Sequence, residues 1–246
     1  MRVLRNGNAP AFQAGHVGSI PITRSIMINC IMFACRNIRD ELLAAVLEAG
    51  VKFPVLFIPR ELHLIPDKLR VYLQDMIDNI ENTDYILLPM GMCGNGTVGL
   101  MSSTASIVLP KCGDCIDMLL SEEGVKTERS VCSYFLTAGW LGDDNSIDVE
   151  YKRTIEKYDA ETASMIIEML YKNYKHFCFI DTGTYDIDAV KEKIKPLTEI
   201  TKMDVIEVKG RYNILRKMAA LEFDSDFVIV PPGETVCEKH FRLTET

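Results

Sequence analysis

Four short, predominantly apolar runs leave this chain little choice of architecture: INCIMFAC (28–35), VLFI (55–58), YILLPM (85–90) and ASIVL (105–109). A strand that is apolar at consecutive positions is buried on both faces, as in a parallel sheet covered by helices. The first three connecting segments supply helices or loops. Asn37 is expected to cap a helix whose apolar residues Ile38, Leu42, Leu43, Val46 and Leu47 share one face, and Gly50 ends it. Pro66 opens a second helix, with Leu69, Tyr72, Leu73, Met76, Ile77 and Ile80 at helical spacing. The spacing predicts strands over 28–34, 55–58, 85–89 and 105–109 as parallel neighbours, each pair joined by a long crossover.

The rhythm then resumes. A strand and loop are expected over 131–144, a long helix over 147–173, and strands over 176–181, 204–208 and 227–233, with helical segments between them. The fold class is therefore α/β, a parallel sheet flanked by helices. It reads as two Rossmann-like halves, 27–144 and 145–246, with a crevice at the carboxyl ends of the strands. One continuous sheet satisfies the same pattern.

Residues 1–26 stand apart. They hold no sustained apolar period and no signal-peptide core. Gly18-Ser19-Ile20-Pro21 is what one frame of the common tRNA T-arm sequence GGTTCGATTCC encodes. The segment is expected to be a non-native extension, with the native start at Met27.

The chain is 246 residues long, 48% hydrophobic, with a net charge of −8. No Lys/Arg-rich run is present, which argues against nucleic acid as a partner, and no apolar stretch reaches the roughly 18–20 residues of a membrane span. Eight cysteines at irregular spacings in a chain with an ample core point to reduced or metal-bound thiols, hence to the cytoplasm.

Three of those cysteines fall just past a predicted strand. Cys35 closes the first, Cys93 sits in GMCGNGTVG (91–99) after the third, and Cys115 sits in KCGDC (111–115) after the fourth. In an open α/β sheet these ends share one edge, where ligands bind. Cys35, Cys93 and Cys115 are therefore candidate metal ligands, with His63 as a fourth and Cys112 as a weaker one. Gly91, Gly94, Asn95 and Gly96 let the loop fold over a bound group, and Asp114 at the start of a short helix can orient it. Plainer readings exist: a tight turn for the loop and small buried hydrophobes for the thiols. Cys112 and Cys115 also form a CxxC whose thiols a helix N-terminus would make acidic.

Taken together, ACRNIRDEL (34–42), LHLIPDKL (62–69), YILLPMGMCGNGTVGL (85–100), VLPKCGDCIDMLL (108–120), YFLTAGW (134–140) and FDSDFVIVPPGE (223–234) resemble the DUF1638 family of uncharacterised bacterial and archaeal proteins. The resemblance implies the same three positions, 35, 93 and 115, with a looser match at His63. It also suggests anaerobic metabolism beside corrinoid-dependent methyl transfer. The family pattern has a histidine where this chain has Gly113, and Tyr-Gly-Leu-Cys where it has Met-Gly-Met-Cys; Cys112 offers a thiol in the histidine's stead.

The expected function is a metal- or iron–sulfur-binding protein. Three cysteines would hold a [4Fe–4S] cluster with one iron open, able to act on a small oxyanionic substrate; zinc on Cys35, Cys93, Cys115 and His63 is the variant. Two other classes stay open: a non-enzymatic partner or metallochaperone of a corrinoid methyltransferase system, and a CxxC thiol oxidoreductase.

Overall fold

The computed structural model describes residues 28–121 and 129–241. The expectation for residues 1–26 lies outside the described residues, as does that for 122–128 within the polar stretch. In chain order the elements are β1 (Cys30–Cys35), α1 (Arg39–Ala49), β2 (Val55–Ile58), α2 (Pro66–Asp78), β3 (Tyr85–Leu87), β4 (Ser106–Pro110) and α3 (Cys115–Leu120). They continue with β5 (Ser133–Leu136), α4 (Ile147–Lys157), α5 (Ala160–Tyr171), β6 (His176–Asp181), α6 (Ile187–Thr201), β7 (Asp204–Lys209), α7 (Asn213–Ala219) and β8 (Phe227–Val230).

The first sheet runs β2-β1-β3-β4-β8. Its first four strands are parallel, as their apolar runs predict, and β8 closes the edge antiparallel to β4. The chain leaves β1 in one direction to β2, then crosses back to β3 on the other side. The strand order therefore reverses between β1 and β3, the topological switch point of an open α/β sheet. Strand alternation divides the core in two. Met32 and Ala34 face α1 and α7, packing with Ile38, Leu42, Leu215 and Met218. Phe33 faces α2, packing with Leu69, Leu73 and Ile77.

The second sheet, β5-β6-β7, is wholly parallel. One face carries Phe177 and Phe179 into a core with Ile147, Ile167 and Ile194 of α4, α5 and α6. The other face sends Ile180 into the first sheet's core. The two sheets share hydrophobic packing. Sheet membership crosses the expected 144/145 boundary: β5, before it, pairs with β6, and β8, after it, pairs with β4.

Two local expectations are corrected. The helix over 147–173 is broken at Tyr158, which is extended (φ −122°, ψ 160°). Asp159 caps α5 instead, accepting from the Thr162 amide (2.9 Å) and its hydroxyl (2.8 Å). This local capping competes with helix continuation and wins. Asn37 does not cap α1. It lies inside a 3₁₀ turn, Arg36–Ile38, and its amide donates to Cys35 Sγ at 3.4 Å.

The carboxyl ends of the two sheets meet. Thr137, just past β5, donates its hydroxyl to the Asn37 carbonyl at 3.2 Å. A Cβ on Gly139 would lie 2.5 Å from that carbonyl oxygen and 2.8 Å from the Arg36 carbonyl oxygen, so only glycine permits this approach. Past β6, the Thr182 hydroxyl donates to Glu41 Oε1 at 3.0 Å. Past β7, the Arg211 amide donates to the Leu119 carbonyl at 2.7 Å.

Candidate functional site

Two of the cysteine-bearing loops are docked backbone to backbone. The Met92 amide donates to the Cys112 carbonyl (3.0 Å) and the Cys93 amide to the Gly113 carbonyl (2.8 Å). Gly91 makes this possible, since a Cβ there would lie 2.4 Å from the Cys112 oxygen and 2.9 Å from the Asp114 nitrogen. The Thr97 hydroxyl ties the loop back to the Gly91 carbonyl at 3.1 Å. Cys93, Gly94 and Asn95 are consecutive left-handed residues, with φ of 48°, 62° and 72°. Glycine and asparagine tolerate that region; for cysteine it costs on the order of 1 kcal/mol and turns up where surrounding structure enforces it.

Cys35 reaches the same place from β1. It lies at the strand's last residue, 2% exposed, paired in register with Ile58 of β2. Cys115 is the first residue of α3, after Asp114, whose Oδ1 accepts from the amides of Ile116 (2.9 Å) and Asp117 (3.0 Å). Arg129 grips this helix start, Nη1 on Asp114 at 2.9 Å and Nε on Asp117 at 3.0 Å.

The thiols lie within electrostatic reach of one another. Burial raises Cys93 to about 12, with Cys35 and Asp114 adding to it. Burial pushes Cys115 well above the ordinary thiol range, and Cys35, Cys93, Asp114 and Cys112 push it further. Cys112 is raised by burial first and Cys93 next. Cys35 goes to about 11, again through burial, opposed by the Asn37 amide and Arg60. Cys93 and Cys115 show part of their residue surface to solvent, yet protein surrounds the sulfurs closely enough for desolvation to dominate. The acidic CxxC expected at a helix N-terminus is corrected: a six-residue helix cannot offset burial beside three other sulfurs.

All eight cysteines are free. Among the described residues, no set of three or more His, Cys, Asp or Glu side chains already stands in a metal-holding arrangement. The donor chemistry still suits a soft metal or an iron–sulfur cluster, because thiols from three separate segments stand on one sheet edge and none is consumed in a disulfide.

The remaining candidates separate. His63 lies in the turn Arg60–Leu64 after β2. Burial and the neighbouring Arg60 lower it to about 4, so it is neutral, and its buried Nε2 has no hydrogen-bond partner among the described residues. Gly96 packs against the Leu69 side chain of α2, and Asn95 Nδ2 donates to Glu238 Oε1 at 3.3 Å, so both serve the loop's own packing. Cys30 lies at the opposite end of β1, beside Asp84, and Cys178 is buried within β6. Cys237 contacts His240.

Two residues at the crevice have no motif to announce them. Arg60 extends from the end of β2 across to the second sheet, where Nη1 donates to the Trp140 carbonyl at 2.5 Å and the guanidinium lies 5.6 Å from the indole centroid. Glu41 is fully buried in the first turn of α1, raised to about 7 chiefly by desolvation, with Oε2 unpartnered among the described residues. The signal for Arg60, a cation just after a strand, is too common to single it out. A glutamate in a helix's first turn reads as an ordinary solvated charge.

The model of the family described as "Protein of unknown function (DUF1638)" matches residues 57–219, well over half of the chain, and the chain belongs to that family. No curated protein and no solved structure matches it. Among the described residues, no helix is long and apolar enough to cross a membrane.

Proposed function

We propose that this member of the DUF1638 family binds a metal or a [4Fe–4S] cluster through Cys35, Cys93 and Cys115, with Cys112 beside them, and acts on a small oxyanionic substrate. One observation carries the reading. The ends of β1, β3 and β4, after which Cys35, Cys93 and Cys115 stand, lie on one carboxyl edge of the sheet beside the β1/β3 switch point, where open α/β sheets bind their ligands. The enforced left-handed backbone at Cys93 supports it, since strain of this kind collects at functional sites.

The protein's own contribution is positional. The Asn37 amide supplies Cys35 with a hydrogen bond that favours its thiolate. Asp114 fixes the start of α3, and Arg129 holds Asp114. Deprotonating several buried thiols together is costly, and cation binding offsets that cost. A cluster held by three cysteine ligands would offer one open iron as a Lewis acid for a substrate oxygen. His63 is the neutral imidazole nearest the β2 end, available to complete a zinc set.

Anaerobic purification with metal and sulfide analysis tests this. The expected result is iron with sulfide and the broad visible absorbance of thiolate-ligated iron, or stoichiometric zinc in a colourless protein. Cys35→Ser, Cys93→Ser and Cys115→Ser should each lose most of the metal, while Cys178→Ser keeps it. A protein that stays metal-free after reconstitution with iron and sulfide, and with zinc, overturns the reading; co-purification of a corrinoid methyltransferase would then favour a partner role.

A further inference from the structure

We infer that Arg60, with Trp140 beneath it, is the anion-receiving subsite of the crevice, recognising the carboxylate or phosphate of a small ligand. The inference deepens the thiol-centre reading and rests on it for its chemical meaning, because an anion held by Arg60 lies beside Cys35.

Arg60 bridges the carboxyl edges of the two sheets. It is half-buried at the end of β2, at the carboxyl edge of the first sheet, and it spans to the turn Ala138–Trp140 after β5 of the second. Cys35 and His63 lie close enough to feel its charge. The other exposed arginines of this region are committed: Arg36 faces Asp143 at 3.8 Å and Arg39 faces Asp40 at 3.3 Å. Among the described residues, Arg60 forms no ion pair, and its one hydrogen bond goes to the Trp140 carbonyl.

A guanidinium carries five N–H donors in a planar fork. One is used here, and the guanidinium lies over the Trp140 ring, 5.6 Å from its centroid. Among the described residues the remaining donors are partly desolvated and have no acceptor. A charge withdrawn from water without a counter-ion is unfavourable, and a bidentate oxyanion is the partner that fits this fork. The crevice position makes that partner a ligand.

Trp140 is the only tryptophan in the chain, so its fluorescence reports directly on the site. The full chain, as purified, is titrated with inorganic phosphate and separately with succinate, at constant ionic strength in chloride, by fluorescence and by calorimetry. Saturable binding of either anion is expected, and the preferred one identifies the headgroup. Arg60→Gln should weaken it roughly tenfold or more, as loss of a charged hydrogen-bonding pair does, and Arg60→Lys several-fold. Circular dichroism shows whether the variants fold; if Arg60→Gln does not, Arg60→Lys decides. No saturable heat or fluorescence change with either anion overturns the inference, as does unaltered affinity in a folded Arg60 variant. Metal analysis on the same samples separates the two readings: anion binding by metal-free protein supports the subsite while the metal reading fails, and metal uptake without anion binding sinks the subsite alone.

Discussion

At the scale of single residues, the informative positions are those that break an ordinary preference. Cys93 occupies a left-handed conformation that glycine would adopt more easily, and Glu41 is a carboxyl with no solvent exposure and one oxygen unpartnered among the described residues. Glu41 has a consequence for pH. Its folded value is raised to about 7 from 4.5, so the folded state binds the proton more tightly than the unfolded chain does. Stability is therefore greatest below about 4.5 on this account and falls as pH rises to about 7, the neutral acid being the form that fits. Glu41→Gln keeps the shape without the ionisation. It is expected to flatten that part of the stability–pH curve and to stabilise the protein at pH 8 by up to about 3 kcal/mol. Denaturant unfolding at pH 5 and pH 8 measures it; equal pH dependence in both proteins would contradict it.

At the scale of elements, the site depends on two loops that touch through their main chains. The loop after β3 fits the loop after β4 only because position 91 lacks a side chain. Gly91→Ala would drive a methyl into the Cys112 carbonyl, a backbone group with little room to yield. A loss of about 1–3 kcal/mol is expected, the ordinary cost of overpacking, together with loss of metal uptake, because Cys93 moves away from Cys112 and Cys115. Thermal unfolding and metal analysis of the variant check both parts, and a stable variant that still loads metal would show that loop docking is not what aligns the thiols. The sequence announces these elements well. Apolar runs give the strands, helical spacing gives α1 and α2, and the cysteines are recognisable as strand-end residues from position alone. The break between α4 and α5 is less plain, because the apolar stripe continues through it while Asp159 makes a local cap.

At the scale of the whole molecule, two sheets are joined edge to edge at their carboxyl ends. One close point is Gly139 against the Arg36 and Asn37 carbonyls, with Thr137 bonded to the latter. Gly139→Ala is expected to separate the sheets there, costing about 1–3 kcal/mol as a forced insertion between packed backbones does. It should also raise hydrogen exchange at both strand ends, β1 and β5. Exchange measured by mass spectrometry tests it; protection lost from the second sheet alone would mean that the halves do not depend on this joint.

By itself the sequence determined the four parallel strands, their covering helices and the edge on which Cys35, Cys93, Cys112 and Cys115 would stand. These follow from periodicity and strand polarity, which are local properties of the chain. The tertiary structure alone decided that β8 returns to close the first sheet, that Ile180 of the second sheet enters the first sheet's core, and that Glu41 is buried. It alone brought Arg60 to Trp140, eighty positions later. Such pairings have no repeat in sequence to reveal them, because they arise where two separately legible halves meet, and what a side chain meets across that joint is set by packing rather than by its neighbours along the chain.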